Sequence, residues 1–279
     1  MYLMDGKKVA LEITEIIKDR VKGLKVKPSL AIIQVGTLES SNKYVSLKIK
    51  KANELGINAQ LFSFSEDVKF EELKKFFLNN EDKFDGIMVQ LPLPKHLDKQ
   101  KVCDLIPYRK DIDGLTSKNN NKFYNDKTSF TPATANAILN IIDYYDIDVY
   151  AKKCGVIGQS NLVGKPISYL LRKRGAIVNT YDLSTGIDNI NVNDVLIVAA
   201  GTAHLVNYQM IKDNCVVIDV GTNIDKQTEY KLKGDVDPEK LETKASFFAP
   251  VPGGVGPLTV VSLLYNLINN PYTVNKKQP

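Results

Sequence analysis

No apolar run in this 279-residue sequence is long enough to cross a membrane. The longest uninterrupted one, Val195 to Ala200, falls far short of the ~18 residues that a spanning helix needs. At 43% hydrophobic and 25% charged, the composition is instead that of a soluble globular protein of one large or two modest domains. Cysteine is scarce too: Cys103, Cys154 and Cys215 are odd in number and widely spaced, giving neither a disulfide framework nor a metal-ligand cluster, and read as packing residues. The two histidines, His96 and His204, lack ligand-spaced partners, so no metal site is expected, and acid/base chemistry falls to Lys, Asp, Glu or Tyr. Charge of one sign is nowhere concentrated: a net charge of +5 is mild and the lysines are spread, which gives nucleic-acid binding little support. The opening MYLMDGKKVALEITEIIKDR lacks a long apolar core and carries Glu12, Glu15 and Asp19, unlike a secretory signal or an acid-poor transit peptide, so the expected location is the cytoplasm.

What is present is an alternation of short β-rich runs with amphipathic helical ones. From Ser29 to Pro94 the segments SLAIIQVG, SNKYVSLKIKKANELGI, NAQLFSF, FEELKKFFLNN and FDGIMVQLP read β-α-β-α-β, a mainly parallel sheet covered on both faces. A second α/β series runs from Lys152 through KKCGVIG, a helix to Arg174, AIVNTYD, DVLIVAAGT and CVVIDVGTN. Between them the polar, Asn-rich stretch Thr116 to Thr131 reads as a linker or surface loop. After the second series a Pro/Gly loop leads into the apolar helix of PLTVVSLLYNLI, placed to return to the first domain.

Two groups of residues carry candidate chemistry. In CGVIGQSNLVGKP a buried strand ends at Gly158, and Ser160, Gly164 and Pro166 lead into a helix, a turn whose amides and positive helix end suit a pyrophosphate. The spacing GxSxxxG departs from GxGxxG and is equally compatible with a plain packing turn. Asp182 closes the next strand near the offset at which an acidic side chain meets an NAD ribose, or caps the turn that follows it. In the first series Tyr44 and Lys48 are four apart on one helix face, flanking the apolar stripe of Val45, Ile49 and Ala52. Lys48 thus sits at the edge of the core, where desolvation could make it a base, although a solvated face is the commoner role of such a lysine. Gln90 follows GIMV at a strand's carboxyl end and Asp113 lies in KDIDG; both fit a ligand cleft, and both fit strand-end or turn capping.

Taken in order, LMDGKKVA, YVSLKIKKANELGI, GIMVQLPLPKHL, KDIDGL, GVIGQSNLVGKP, GDVDPEKL and PVPGGVGPLT resemble the methylenetetrahydrofolate dehydrogenase/methenyltetrahydrofolate cyclohydrolase family over nearly the whole chain. The resemblance implies an α/β fold of two domains with the active site in the cleft between them. Residues 1–118 plus 258–279 would form a three-layer folate-binding catalytic domain, and residues 119–257 a Rossmann-type NAD(P)-binding domain. It implies Lys48 as the central catalytic residue, Gln90 holding its amine, Asp113 contacting the pterin and Tyr44 stacking on folate. Val89, Leu91 and the loop Pro252, Gly253, Gly254, Val255 and Gly256 would complete the substrate contacts. Gly158, Gln159, Ser160, Gly164, Asp182, Leu183 and Ile224 would serve NAD or NADP. The implied chemistry is oxidation of 5,10-methylenetetrahydrofolate by hydride transfer to a nicotinamide, then hydrolysis of the methenyl product to 10-formyltetrahydrofolate. The implied assembly is a homodimer acting on tetrahydrofolate derivatives.

Two departures from the family pattern stand out. Gln159 and Leu183 occupy positions where relatives can carry a basic side chain, and Asp182 would repel a 2′-phosphate, so a weakened NADP preference is expected, with Lys173 and Arg174 as alternative cations. TPATANAI replaces the family's usual continuation after CTP and touches no proposed catalytic position. The competing readings are a dehydrogenase without cyclohydrolase activity, a similar dehydrogenase for another small substrate, and a non-catalytic folate or nucleotide sensor. Lys48, Gln90 and the PVPGGVGPLT loop speak against the first two, and Lys48 with Asp113 against the third.

Overall fold

The computed structural model describes residues 1–182, 184–225 and 231–270. The chain forms two compact units, one of Met1–Leu11 with Thr134–Thr259, the other of Glu12–Ala133 with the chain from Val260.

The elements run β1 (Tyr2–Leu3), α1 (Gly6–Lys22), β2 (Ser29–Val35), α2 (Glu39–Glu54), β3 (Asn58–Phe64), α3 (Phe70–Asn80), β4 (Gly86–Val89), α4 (Lys99–Cys103), α5 (Ser117–Tyr124) and α6 (Ala133–Tyr144). They continue with β5 (Lys153–Ile157), α7 (Gly164–Lys173), β6 (Ile177–Tyr181), β7 (Val195–Val198), β8 (Cys215–Asp219), β9 (Asn223–Asp225), β10 (Lys231–Lys233), β11 (Ala245–Ala249) and α8 (Gly256–Ile268).

In the 12–133 unit a parallel sheet has the order β3-β2-β4. β2 lies at its centre, and Leu30 to Val35 are all buried, as a strand covered on both faces requires. Ala31, Ile33 and Val35 of β2 pack with Leu73 and Phe77 of α3 and Ile87 and Val89 of β4, with Phe84 and Val102 closing the cluster. Each fully buried aliphatic side chain there contributes roughly 1.5 to 3 kcal/mol. Crossovers through α2 and α3 bring β3 and β4 to opposite sides of β2, so the carboxyl ends of β2 and β4 point the same way and carry Gln90 beyond Val89.

The 134–259 unit holds a six-stranded parallel sheet of order β1-β11-β8-β7-β5-β6, and β9 and β10 form a separate antiparallel ribbon. The first residues join this unit because β1 pairs with β11 and the Met4 amide bonds the Phe248 carbonyl at 2.8 Å, whereas the expected division placed them in the catalytic domain. The supposed linker from Thr116 to Thr131 is also structured. Thr116 caps α5 through its hydroxyl, and Asn119, Phe123 and Phe130 are buried within the 12–133 unit. Its asparagines resemble loop signals in composition, but Asn119 is an internal donor. The three cysteines are buried, and burial pushes each thiol up to about 12.

Candidate active site

Helix α2 presents Tyr44 and Lys48 one turn apart, and the end of β4 brings Gln90 to meet them. Lys48 Nζ donates to Gln90 Oε1 at 2.8 Å, while Gln90 Nε2 donates to the Leu91 carbonyl at 2.6 Å. A glutamine amide has one acceptor oxygen, so engaging its nitrogen with the main chain leaves that oxygen to face the lysine. The Gln90 amide N–H also extends the sheet to the Ile33 carbonyl at 2.8 Å, which fixes the side chain's root.

Burial pulls the Lys48 amine below its usual range, opposed by the negative charge of Asp113. Burial raises Asp113 to about 6, against the attraction of Lys48 and with a further push from Asp111. The residue as a whole is half-buried, and the desolvation falls on its carboxyl group. Burial also raises the Tyr44 phenol. Both members of the Lys48 and Asp113 pair are thereby driven toward their neutral forms, which makes the lysine a base at a lower pH than a free amine.

The loop bearing Asp113 is tied by residues that sequence reasoning missed. Asp111 is completely buried, and its carboxylate accepts the Leu115 N–H at 3.1 Å, the Thr116 N–H at 2.8 Å and Asn119 Nδ2 at 2.7 Å. Asn266 of α8 donates through Nδ2 to the Ile112 carbonyl at 2.8 Å and the Thr131 carbonyl at 2.9 Å. KDIDG carried a usable signal for Asp111: an Asp three residues before Gly114 marks a tight turn, and the Gly114 amide does bond the Asp111 carbonyl at 3.1 Å.

Of the other expected folate contacts in this unit, Leu91 is half-buried, whereas the Val89 side chain packs in the core and leaves only its main chain to a ligand. The loop Pro252 to Gly256 belongs to the 134–259 unit. There Pro252 and Gly256 are exposed, Gly253 is half-buried, and Gly254 and Val255 are buried. The loop is held by the Gly254 N–H on the Pro250 carbonyl at 2.7 Å and the Gly6 N–H on the Gly253 carbonyl at 2.9 Å.

The turn after β5 in the same unit is shaped for close approach. Gly158 has φ +90°, and a Cβ built on it would stand 2.1 Å from the Ala199 carbonyl oxygen; one built on Gly164 would stand 1.7 Å from the Gly158 carbonyl oxygen. Only glycines allow strand, turn and α7 to close this tightly. Ser160 Oγ accepts the Val163 N–H at 3.2 Å, which closes the turn leading into α7. In the first turn of α7 the Lys165 N–H bonds the Ser160 carbonyl at 3.1 Å, the Ile167 N–H bonds the Val163 carbonyl at 3.0 Å and Pro166 has no N–H. It is therefore the close main-chain approach at Gly158 and Gly164, with the positive end of the helix, that fits a dinucleotide's pyrophosphate.

Gln159 folds back, its Nε2 donating to the Val156 and Gly158 carbonyls, both at 3.1 Å. Asp182 is engaged by its own turn, accepting the Ser184 N–H at 2.8 Å and the Ser184 hydroxyl at 2.6 Å, and these bonds hold its carboxyl below the usual range. Ile224 lies in β9, and Leu183 lies outside the described residues.

A family model described as the tetrahydrofolate dehydrogenase/cyclohydrolase catalytic domain matches residues 4–113, and the family's NAD(P)-binding domain matches residues 132–274. The chain belongs to the tetrahydrofolate dehydrogenase/cyclohydrolase family. Within it, the chain is 44% identical to the bifunctional protein FolD of Mycoplasmopsis synoviae, covering 96% of this chain and 99% of that one. Among solved structures, the bifunctional FolD dehydrogenase/cyclohydrolase of Campylobacter jejuni superposes with TM-score 0.93 at 34% identity, covering 98% of this chain and 99% of that chain. The Trypanosoma brucei methylenetetrahydrofolate dehydrogenase-cyclohydrolase, solved with NADP cofactor and inhibitor, superposes with TM-score 0.91 at 30% identity over 97% of each chain.

Proposed function

We infer that this family member is a bifunctional one-carbon folate enzyme, oxidising 5,10-methylenetetrahydrofolate with NAD(P)+ and hydrolysing the methenyl product to 10-formyltetrahydrofolate. The observation that carries the reading is Lys48 Nζ held at 2.8 Å by a neutral amide oxygen, with its amine pulled below the usual range by burial. In the hydrolytic step water adds to the cationic methenyl carbon and the Lys48 amine takes the proton released from that water. When the adduct collapses, the bond from carbon to N5 breaks, N5 takes up a proton, and one proton is released overall. Gln90 keeps the amine aimed without neutralising it by a full charge. Asp113 serves the pterin as a hydrogen-bonding partner, and Tyr44 offers its ring to it.

In the oxidative step a bound dinucleotide supplies the hydride acceptor. Gly158, Ser160, Gly164 and the start of α7 are the residues that fit its pyrophosphate. We propose a weakened preference for the 2′-phosphate of NADP. Gln159 brings no cation and spends its donors on its own main chain. Arg174 is committed to Asp143, with NH2 to Oδ2 at 2.8 Å, and Lys173 Nζ lies 5.7 Å from the centre of the Tyr169 ring. The half-buried Asp182 adds a negative carboxylate at the strand end. A homodimer in the cytoplasm completes the proposal.

The test is spectrophotometric: purified protein with methylenetetrahydrofolate and either dinucleotide, following reduced cofactor, methenyl and formyl products together. Formyltetrahydrofolate formed faster than the uncatalysed hydrolysis supports both activities, and kcat/KM for NAD no worse than for NADP supports the cofactor reading. Methenyl accumulating at the uncatalysed rate leaves a dehydrogenase alone, no turnover with either cofactor leaves a binding protein, and a strong NADP preference overturns the cofactor assignment.

A further inference from the structure

Two carboxylates that the proposed chemistry does not use are fully enclosed in the 134–259 unit. Asp219 closes β8, and Asp235 lies in the segment GDVDPEKL. A buried carboxylate is costly unless donors surround it, and both are surrounded. Asp219 accepts the N–H groups of Gly221, Asp235 and Val236, each at 3.0 Å. Asp235 accepts the Ala200 N–H at 2.6 Å, the Gly201 N–H at 2.8 Å and Asn223 Nδ2 at 2.8 Å.

The partners of Asp235 sit at a particular place in the sheet. The chain leaves β5 for β6 on one side and returns to β7 on the other, so the order reverses between β5 and β7. Open α/β sheets bind ligands outside the carboxyl ends of the strands at such a reversal. Gly158 follows β5 there, and Ala199 to Gly201 follow β7. The last ladder bond between them joins the Ala199 N–H to the Ile157 carbonyl at 2.8 Å. Beyond it, the Ala200 and Gly201 amides are held by Asp235. A Cβ on Gly158 would lie 2.1 Å from the Ala199 carbonyl oxygen and 3.1 Å from the Ala200 nitrogen, so the glycine turn closes directly against the segment that Asp235 anchors.

We propose that Asp235 is a positioning residue for dinucleotide binding: its carboxylate sets the β7 wall on which the Gly158 turn rests, and Asp219 fixes the main chain of Asp235 itself. This rests on the reading of that turn as the dinucleotide site.

The experiment compares wild type with Asp235→Asn, which keeps the size but turns an amide NH2 toward one of the donors. Gly221→Ala serves as an independent variant, because its Cβ would fall 2.0 Å from Asp235 Cγ and displace the carboxylate. Both variants should raise KM for the dinucleotide about tenfold or more, as losing a charge-assisted hydrogen bond implies, with kcat at saturating dinucleotide changed by less than about threefold. Hydrolysis of methenyltetrahydrofolate, assayed without dinucleotide, should stay within about twofold. An unchanged dinucleotide KM in both variants overturns the proposal, as does a parallel loss of both activities with a lowered melting temperature. A wild type without dinucleotide-dependent turnover overturns the reading of the turn first; an active wild type with unaffected variants overturns the positioning role alone.

Discussion

Replacing Asp113 by Asn should make the protein more stable and less active, with the gain in stability depending on pH in a defined direction. Burial raises the Asp113 carboxyl from 3.8 to about 6 even though Lys48 pulls it down. A carboxyl that binds its proton more tightly when folded stabilises the fold fully below about pH 3.8. That contribution is lost as pH rises toward 6, above which the ionised group is a net cost. A shift of about two units corresponds to roughly 3 kcal/mol. Asn has the same shape and no charge, so it removes the cost. It also strips Lys48 of its negative neighbour, which drives that amine further down and returns part of the gain. The net should be about 1 to 3 kcal/mol at pH 8, a rise of several degrees in melting temperature at roughly 2 to 4 °C per kcal/mol. Urea titrations of wild type and variant at intervals from pH 4 to pH 8 measure it. The stability difference should grow from near zero up to about pH 6 and then level off, while folate turnover falls. Asp219, raised to about 6 as well, is common to both proteins and cancels in the difference. A difference that is flat with pH, or that favours the wild type near pH 8, would refute the reasoning.

Lys48→Met should lower the cyclohydrolase rate by about 10² to 10⁴, the usual contribution of a positioned base, and retained activity in a product assay removes the lysine from its role. In the wild type the cyclohydrolase kcat should rise with pH to a plateau reached below the 10.5 of a free lysine, because only the neutral amine accepts a proton and burial lowers its pKa; a rate still climbing near that value counts against it. Asn119→Ala takes the 2.7 Å donor from the buried Asp111 carboxylate and should cost about 1 to 3 kcal/mol in denaturant titration, with a raised KM for folate as the Asp113 loop loosens. Leu73→Ala, at a fully buried position of the 12–133 core, should cost about 2 to 5 kcal/mol and lower the urea midpoint.

The strands were legible where burial on both faces forces an uninterrupted apolar run, as in LAIIQV of β2 and GIMV of β4. The helix carrying Tyr44 and Lys48 was legible because four-residue spacing alone places two side chains on one face. The role of each remained open at that level, since a lysine at a core edge and a lysine on a wet face have the same local sequence; the deciding bond to Gln90 spans 42 positions. β1 escaped notice because Tyr2 and Leu3 are exposed and their pairing partner is Phe247 and Phe248. Asn119 has the local sequence of a loop residue, because composition does not show whether an amide faces water or a buried carboxylate. Asp182 satisfied both of its readings at the level of position, and the structure adds that its oxygens already serve the turn at Ser184. GDVDPEKL stood out as a motif, yet the bond from Asp235 to Ala200 spans 35 positions and leaves no local trace.

The interleaving of the two units along the chain has a consequence for synthesis. Each unit is assembled from two stretches separated by most of the other: the first needs Met1–Leu11 together with the chain as far as Thr259, and the second needs Glu12–Ala133 together with the chain beyond Val260. On a ribosome the first eleven residues emerge long before β11, the strand that β1 pairs with, exists. Asn266, which ties the Asp113 loop, arrives later still. The first unit cannot be completed before Thr259 is made, nor the second before the chain beyond Val260, so the nascent chain carries two unfinished cores until β11 and α8 are synthesised. A ribosome stalled between Tyr144 and Lys153 would therefore hold a 12–133 unit that lacks its α8 anchor, and cutting the gene at that point would yield two incomplete fragments in place of two domains.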